Sequence, residues 1–180
     1  MSKTAQAAAR RPSAASDTPA PAARADNRRV QVRRSGIHGK GLFVLQPIAE
    51  GERILEYKGE TITWRQAQKR HPHDPAQPNH TFFFHLDDKH VIDGGVGGNA
   101  SRWINHACTP NCVAEEVDRR IFIHAARNLE VGEEIFYDYS LVIDERYTAA
   151  LKKEYACHCG AADCRGTMLA AKRPRAKKSK

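Results

Sequence analysis

Three short stretches concentrate the side chains that could do chemistry. Residues 101–112, SRWINHACTPNC, crowd an Arg, two Asn, a His and two Cys into twelve positions. Neither strand alternation nor a helical apolar stripe accounts for them. Residues 133–140, EEIFYDYS, set Tyr137 and Tyr139 two apart, on one face of a strand. Paired phenols suit a packed core or a hydroxyl-lined pocket, and residue type alone favours the core. Residues 157–164, CHCGAADC, offer three thiolates at C-x-C-x4-C spacing. Structural zinc takes four tetrahedral ligands, so a fourth must come from elsewhere, with Cys108, Cys112 and His158 as candidates. Five cysteines, an odd number in a chain without an export signal, argue against a disulfide framework. Two further pieces are weaker alone. SGIHGKGLF (35–43) places Gly39 and Gly41 around Lys40, which reads as a turn and lacks the third Gly of a dinucleotide fingerprint. EYKGE (56–60), with Tyr57 before Gly59, reads as a strand end.

The elements that must position these residues are short. The β-prone runs VQV, LFVL, RILEY, TFFFHL, HVID, RIFIHA and EIFYDY are separated by Gly, Asn, Asp and Pro, which indicates many small strands rather than βαβ units. Asp87-Asp88 and Asp118-Arg119 stand where hairpin turns are needed. Thr63 is placed to cap a short helix, WRQAQKR, that ends in the loop HPHDPAQPN. A second helix is expected after Asp144, with Tyr147, Leu151 and Tyr155 on one face at i, i+4, i+8. His71, His73, His80, His85, His90 and His124 show no ligand spacing and read as surface or loop residues. Asp93 reads as a turn residue and Asp138 as a polar group in the core.

Charge is unevenly placed. The chain of 180 residues carries +8, but residues 1–29 hold six Lys/Arg against two Asp, and 172–180 hold six Lys/Arg and no acid. The middle keeps 17 basic and 19 acidic residues. Nucleic-acid attraction therefore belongs to the tails, and a slightly acidic core suits a basic peptide. The Ala/Pro/Arg/Ser-rich start, with Asp17 and Asp26, reads as a disordered tail rather than a transit peptide. No apolar run approaches the ~20 residues of a membrane span, so no membrane partner is expected.

The stretches above occur together and in order, and the set resembles the SET-domain family of protein lysine methyltransferases with its cysteine-bearing post-SET segment. The resemblance covers roughly 30–168. The family's R-F-I-N-H-S-C-x-P-N-C stands here as Arg102 to Cys112, with Trp103 for Phe and Ala107 for Ser. Its G-E-E-L-x-Y-D-Y stands as Gly132 to Tyr139. The resemblance implies a mostly β (α+β) fold, a β-clip of short strands with a pseudoknot formed by the R-W-I-N-H segment and the strand carrying Tyr139, plus a small C-terminal zinc-binding segment. Its domain layout is a disordered tail at 1–29, a SET domain at 30–144, a post-SET helix and zinc segment at 145–170 and a basic tail at 171–180. A cysteine-rich pre-SET region is missing, which suits a compact bacterial member.

The same resemblance implies S-adenosylmethionine on one face, with Lys40 and Gly41 near its methionine end, Arg102 at its carboxylate, and Asn105 and His106 at the adenine edge. One structural Zn2+ would be held by Cys108, Cys157, Cys159 and Cys164, leaving Cys112 as a packed thiol. The acceptor lysine, from a histone tail or another Lys-rich protein, would enter opposite, beside TFFFHLDD (81–88). Catalysis would fall to Tyr139, with Tyr57 as a second channel phenol and Tyr137 at the product-specificity position, favouring monomethylation. A lysine near ~10.4 must lose its proton, which burial in an aromatic channel assists. The competing readings are a non-catalytic SET-like peptide-binding module and a nucleic-acid-binding protein driven by its tails. A monomer is expected, cytoplasmic if bacterial; the terminal KRPRAKKSK suits a nuclear address, a DNA tether or a self-methylation target.

Overall fold

The computed structural model describes residues 29–70, 81–143 and 145–171. Nearly all of both expected tails, the loop HPHDPAQPN, and His71, His73 and His80 lie outside the described residues. In chain order the strands are β1 (Val30–Arg34), β2 (Lys40–Val44), β3 (Arg53–Tyr57), β4 (Glu60–Thr63), β5 (Phe83–His85), β6 (His90–Asp93), β7 (Asn105–His106), β8 (Cys112–Val117), β9 (Arg120–Ala125) and β10 (Glu134–Tyr137). The helices are α1 (Trp64–Arg70) and α2 (Ala149–Glu154), with a 3-10 turn at Ala100–Trp103. Short strands and little helix bear out the mostly-β expectation. None of the described helices is long and apolar enough to cross a membrane.

Three small sheets carry the strands, in the orders β1-β2-β10-β7, β3-β9-β8 and β4-β6-β5. Neighbours pair antiparallel except β7 and β10, which run parallel, Phe136 beside Asn105 and Tyr137 beside His106. That pairing joins segments far apart in sequence and puts the N-H motif against the phenol strand. The β8–β9 hairpin turns on Asp118 and Arg119, with φ of 51° and 62°. Two successive left-handed residues are what a two-residue turn needs to match strand twist.

The strands bury two apolar clusters, a main one and a smaller one of Ile62, Ala67, Phe83 and Val91. Leu42, Val44, Ile121, Ile123 and Ile135 are fully buried in one cluster with Ile104 and Leu129, each such side chain contributing roughly 1.5–3 kcal/mol by leaving water. Leu151, Tyr155 and Leu169 of the C-terminal segment belong to the same cluster.

At α1, Thr63 Oγ1 accepts from the Gln66 N–H at 3.3 Å while Gln66 Oε1 accepts from the Thr63 N–H at 2.9 Å, a reciprocal capping box. The second helix differs from expectation. It begins at Ala149, because Thr148 caps it by accepting from the Leu151 N–H. The expected face still packs, since Tyr147, Leu151 and Tyr155 all join the core. His85, His90 and His124, read as surface or loop residues, lie partly exposed on β5, β6 and β9.

Candidate functional site

Asn99 sets up the N-H motif. Its side chain caps the 3-10 turn, accepting from the Ser101 N–H and hydroxyl, while Nδ2 donates to Glu56 O on β3. The turn thus fixed delivers Arg102 and Trp103 to a cleft of about 540 Å³, within the size range of small-ligand sites. The cleft is lined by Lys40, Arg102, Asn105, His106 and all three candidate phenols.

Tyr57, Tyr137 and Tyr139 arrive from separate parts of the fold. Tyr57 ends β3 and donates its hydroxyl to Phe82 O at 2.8 Å. Tyr139 donates to Ile104 O at 2.7 Å. The Tyr137 hydroxyl has no hydrogen-bond partner among the described residues. Rings run in series: Tyr57 to Phe84 at 5.1 Å, Phe84 to Tyr137 at 5.7 Å, Tyr137 to Tyr139 at 5.0 Å. Burial pushes all three phenols above their usual range, so they are neutral hydroxyls at physiological pH. One strand does not carry both Tyr137 and Tyr139, as the sequence suggested. β10 ends at Tyr137, because the Tyr139 N–H turns aside to His106 Nδ1 at 3.1 Å and Ser140 adopts a φ of 43°. The two rings nevertheless meet.

Asn105 and His106 are committed within the protein. Asn105 Nδ2 reaches Lys40 O and Glu134 Oε1, each at 2.9 Å, and His38 O at 3.3 Å. It therefore clamps the 35–39 loop to the start of β2. His106 accepts from Tyr139 at Nδ1, which leaves its proton on Nε2, 3.4 Å from Cys108 Sγ. Burial pushes this imidazole down to about 4, so it is neutral near pH 7. Both residues line the cleft, with these side chains engaged inside the protein. Gly41 does not line the cleft. A Cβ there would collide with the Glu134 carboxylate, the same group that receives Asn105 and the Ser35 hydroxyl. Its glycine lets β2 pack against Glu134 one residue after Lys40.

Cys108, Cys157, Cys159 and Cys164 bring their sulfurs within 4.8 Å of one another. Cys108 Sγ lies 3.7 Å from Cys157 Sγ and 3.9 Å from Cys164 Sγ. A tetrahedral ion with Zn–S near ~2.3 Å needs sulfurs about 3.8 Å apart, so the cluster could hold such a metal. Backbone N–H groups of Arg165, Cys159 and Gly166 point at Cys108, Cys157 and Cys164 sulfurs at 3.3 to 3.4 Å, which favours thiolates. Four thiols this close do not all ionise unaided. Burial pushes Cys157 up. At Cys159 burial opposes ionisation, yet hydrogen bonds from backbone and neighbouring thiols outweigh it and bring it down to about 7. A divalent ion would hold all four as thiolates. Cys112 stands apart, fully buried, its thiol pushed up to about 12 by burial.

Several residues that organise the site were not legible beforehand. Asn111 is buried and stitches β10 in place, donating to Glu134 O and accepting from the Phe136 N–H. Asp138, expected in the core, is instead paired with Arg165 at 2.7 Å, with side chains 27% and 30% exposed. Trp103 gathers Lys40 and Arg102 around its ring. No local signal marks these contacts, because each links distant segments.

The SET domain profile matches residues 39–140. Over 140 residues, 76% of this chain, it is 37% identical to Histone-lysine N-methyltransferase trithorax of Drosophila melanogaster and 38% identical to Histone-lysine N-methyltransferase 2B of Homo sapiens. It is 39% identical over 138 residues, 74% of the chain, to Histone-lysine N-methyltransferase, H3 lysine-4 specific, of Candida albicans. The matched part spans only 4%, 5% and 13% of those relatives. With the parallel N-H and phenol strands, the ring series and the four-cysteine cluster, these matches make the chain a member of the SET-domain family.

Proposed function

We propose that this chain is an S-adenosylmethionine-dependent protein-lysine N-methyltransferase with a structural zinc ion at Cys108, Cys157, Cys159 and Cys164. The observation that carries the reading is the convergence of Tyr57, Tyr137 and Tyr139 on one cleft whose lining also includes Arg102 and Lys40. The orphaned Arg102 Nε, buried with no acceptor among the described residues, fits a ligand that brings a carboxylate. When bound, S-adenosylmethionine supplies an electrophilic methyl group on a sulfonium.

This chain's residues have the complementary work. An apolar, aromatic passage disfavours an ammonium and so helps a lysine side chain reach its neutral, nucleophilic form. The proton can leave to water, since neutral phenols offer no base. Tyr139 and Tyr57, each anchored to a backbone carbonyl, keep their oxygens fixed and fix the direction of approach; such alignment supplies several kcal/mol of barrier lowering. Tyr137, whose hydroxyl has no partner among the described residues, is the group able to hydrogen-bond the amine and fill the space that added methyls need. Monomethylation follows as the principal product.

The substrate we favour is a lysine in a histone or similarly basic protein, in line with the names of the relatives. Edge strand β5 would receive the peptide by strand addition. Free thiols at all five cysteines suit a reducing compartment inside the cell, and the basic tails suit contact with a chromosome. The test is transfer of label from S-adenosylmethionine to a panel of histones and lysate proteins, with Tyr139→Phe alongside. Wild-type transfer to protein lysine, lost in the variant, supports the reading. Donor binding with no transfer would make it a peptide-binding module instead.

A further inference from the structure

The last described stretch of the chain runs along the cleft. Met168 lines it together with Leu141, which follows Tyr139 by two residues. Leu141 and Leu169 form a parallel bridge. The Leu141 N–H donates to Met168 O at 3.1 Å, and the Ala170 N–H donates to Leu141 O at 2.8 Å. Leu169 is buried in the main core cluster, and Ala171, the last described residue, is exposed. The backbone thus stays anchored up to Ala170 and then leaves the fold, three residues past a side chain of the cleft wall. The same cleft is lined by Thr81, Phe82 and Phe83, at and just before edge strand β5, where a substrate peptide is expected.

Beyond Ala171 come residues 172–180, with six Lys/Arg and no acid. Lys172 follows directly, a span of ~3.3–3.6 Å at most, which leaves no chain to turn back into the cleft. Lys177, Lys178 and Lys180 stand six, seven and nine residues past Ala171, within a span of up to ~20–30 Å. Charge favours their return, since residues 30–171 hold 19 acidic against 17 basic residues and Glu154 is in the cleft lining. A short tether also holds its lysines at an effective concentration on the order of millimolar. A separate protein must outcompete that.

We propose that the chain's own segment 172–180 enters the acceptor side of the cleft and is methylated in cis at Lys177, Lys178 or Lys180. This rests on the protein-lysine methyltransferase reading and names one substrate of that same site. The neutral Nζ of the tail lysine forms a bond to the sulfonium methyl carbon as the carbon–sulfur bond breaks. The electron pair stays on sulfur, giving the thioether of S-adenosylhomocysteine, and the surplus ammonium proton passes to water. While it occupies the passage, the segment competes with any external protein for the same phenols.

The test incubates the full chain with labelled S-adenosylmethionine and no other protein, then maps the label by mass spectrometry. The expected result is methyl-lysine at one or more of Lys177, Lys178 and Lys180 and none at Lys172. The rate per chain should stay constant over about a hundredfold range of chain concentration, as a tethered reaction requires. A Tyr139→Phe chain mixed with wild type should stay unlabelled. Replacing the three lysines together (Lys177→Arg, Lys178→Arg, Lys180→Arg) keeps the charge and lies outside the core. It should cut self-labelling about tenfold or more while histone labelling persists or rises. Histone labelling without self-labelling, label on the Tyr139→Phe chain, or self-labelling undiminished in the triple variant would overturn the proposal and leave the proposed function standing. If neither the chain nor any panel protein is labelled, the methyltransferase reading itself falls and the proposal with it.

Discussion

Asp138 and Arg165 are joined by two parallel bonds, Nη1 to Oδ2 at 2.7 Å and Nη2 to Oδ1 at 2.8 Å. The pair matters for where it sits. Asp138 lies between Tyr137 and Tyr139, while Arg165 follows Cys164 and donates its N–H to Cys108 Sγ. One ion pair therefore straps the cysteine segment to the turn that aims the phenols. Half-buried and bidentate, it is worth about 1 kcal/mol. Arg165→Ala is expected to lower the melting temperature by a few degrees and to reduce kcat several-fold while metal content stays at one ion per chain. Unchanged turnover would show that the strap does not aim Tyr139.

The cysteine cluster makes a sharper statement about stoichiometry. His106 bridges it to the cleft, with Nε2 toward Cys108 Sγ and Nδ1 receiving the Tyr139 N–H. Loss of the ion should therefore disturb the phenol turn as well as the C-terminal segment. Cys157→Ser or prolonged chelation is expected to abolish bound zinc, depress the melting temperature and remove most transfer activity. Cys112→Ser should keep a full complement of zinc, read by elemental analysis, and lose stability only through its burial. Zinc retained in Cys157→Ser would refute the four-thiolate site.

What the sequence made legible divides along a physical line. Residue types tied to local geometry were readable: Thr63 as a cap, Asp118-Arg119 as a turn, and alternating apolar runs as strands. The extent of β10 was not, because its end is decided by His106, 33 residues away, which captures the Tyr139 N–H. The start of α2 falls later than expected because Thr148 supplies its cap, accepting from the Leu151 N–H. β4, β7 and β8 escaped notice because ETIT, NH and CVAEEV are polar or short, and only pairing makes them strands. Among site residues, motif positions converged on one cleft, yet the engagements of the Asn105 and His106 side chains with Lys40 O and Cys108, and the close packing of Gly41 on Glu134, are revealed by no local pattern.

The phenols should separate by stability before any activity is measured. Tyr57→Phe and Tyr139→Phe each strip a hydrogen bond from a carbonyl, Phe82 O or Ile104 O. Each is expected to cost about 1 kcal/mol or somewhat more. Tyr137→Phe removes a hydroxyl with no partner among the described residues and should leave denaturant unfolding nearly unchanged. Its effect should appear in product, with mass spectrometry showing a shift from mono- toward di- and trimethyl-lysine. A Tyr137→Phe product still mainly monomethylated would rule out its role in limiting space.

Alkaline pH tests the buried phenols as a group. Tyr57, Tyr137 and Tyr139 are raised by burial first, with Tyr139 acting on the other two and Glu134 on Tyr139. Tyr155 is raised to about 12 by the same cause. A folded-state value above the unfolded one means that the folded chain holds its protons more tightly. Their contribution to stability is complete below the ordinary tyrosine value of about 10. Above it the unfolded chain ionises while the folded one does not, so unfolding free energy should fall as pH climbs from about 10. Melting curves from pH 8 to 11, with tyrosinate absorbance followed in parallel, should show ionisation lagging behind that of the denatured chain and then rising together with unfolding. Smooth titration of all five tyrosines near the ordinary value, in a chain that remains folded, would contradict an apolar passage around Tyr57, Tyr137 and Tyr139, and with it the means of neutralising an incoming lysine.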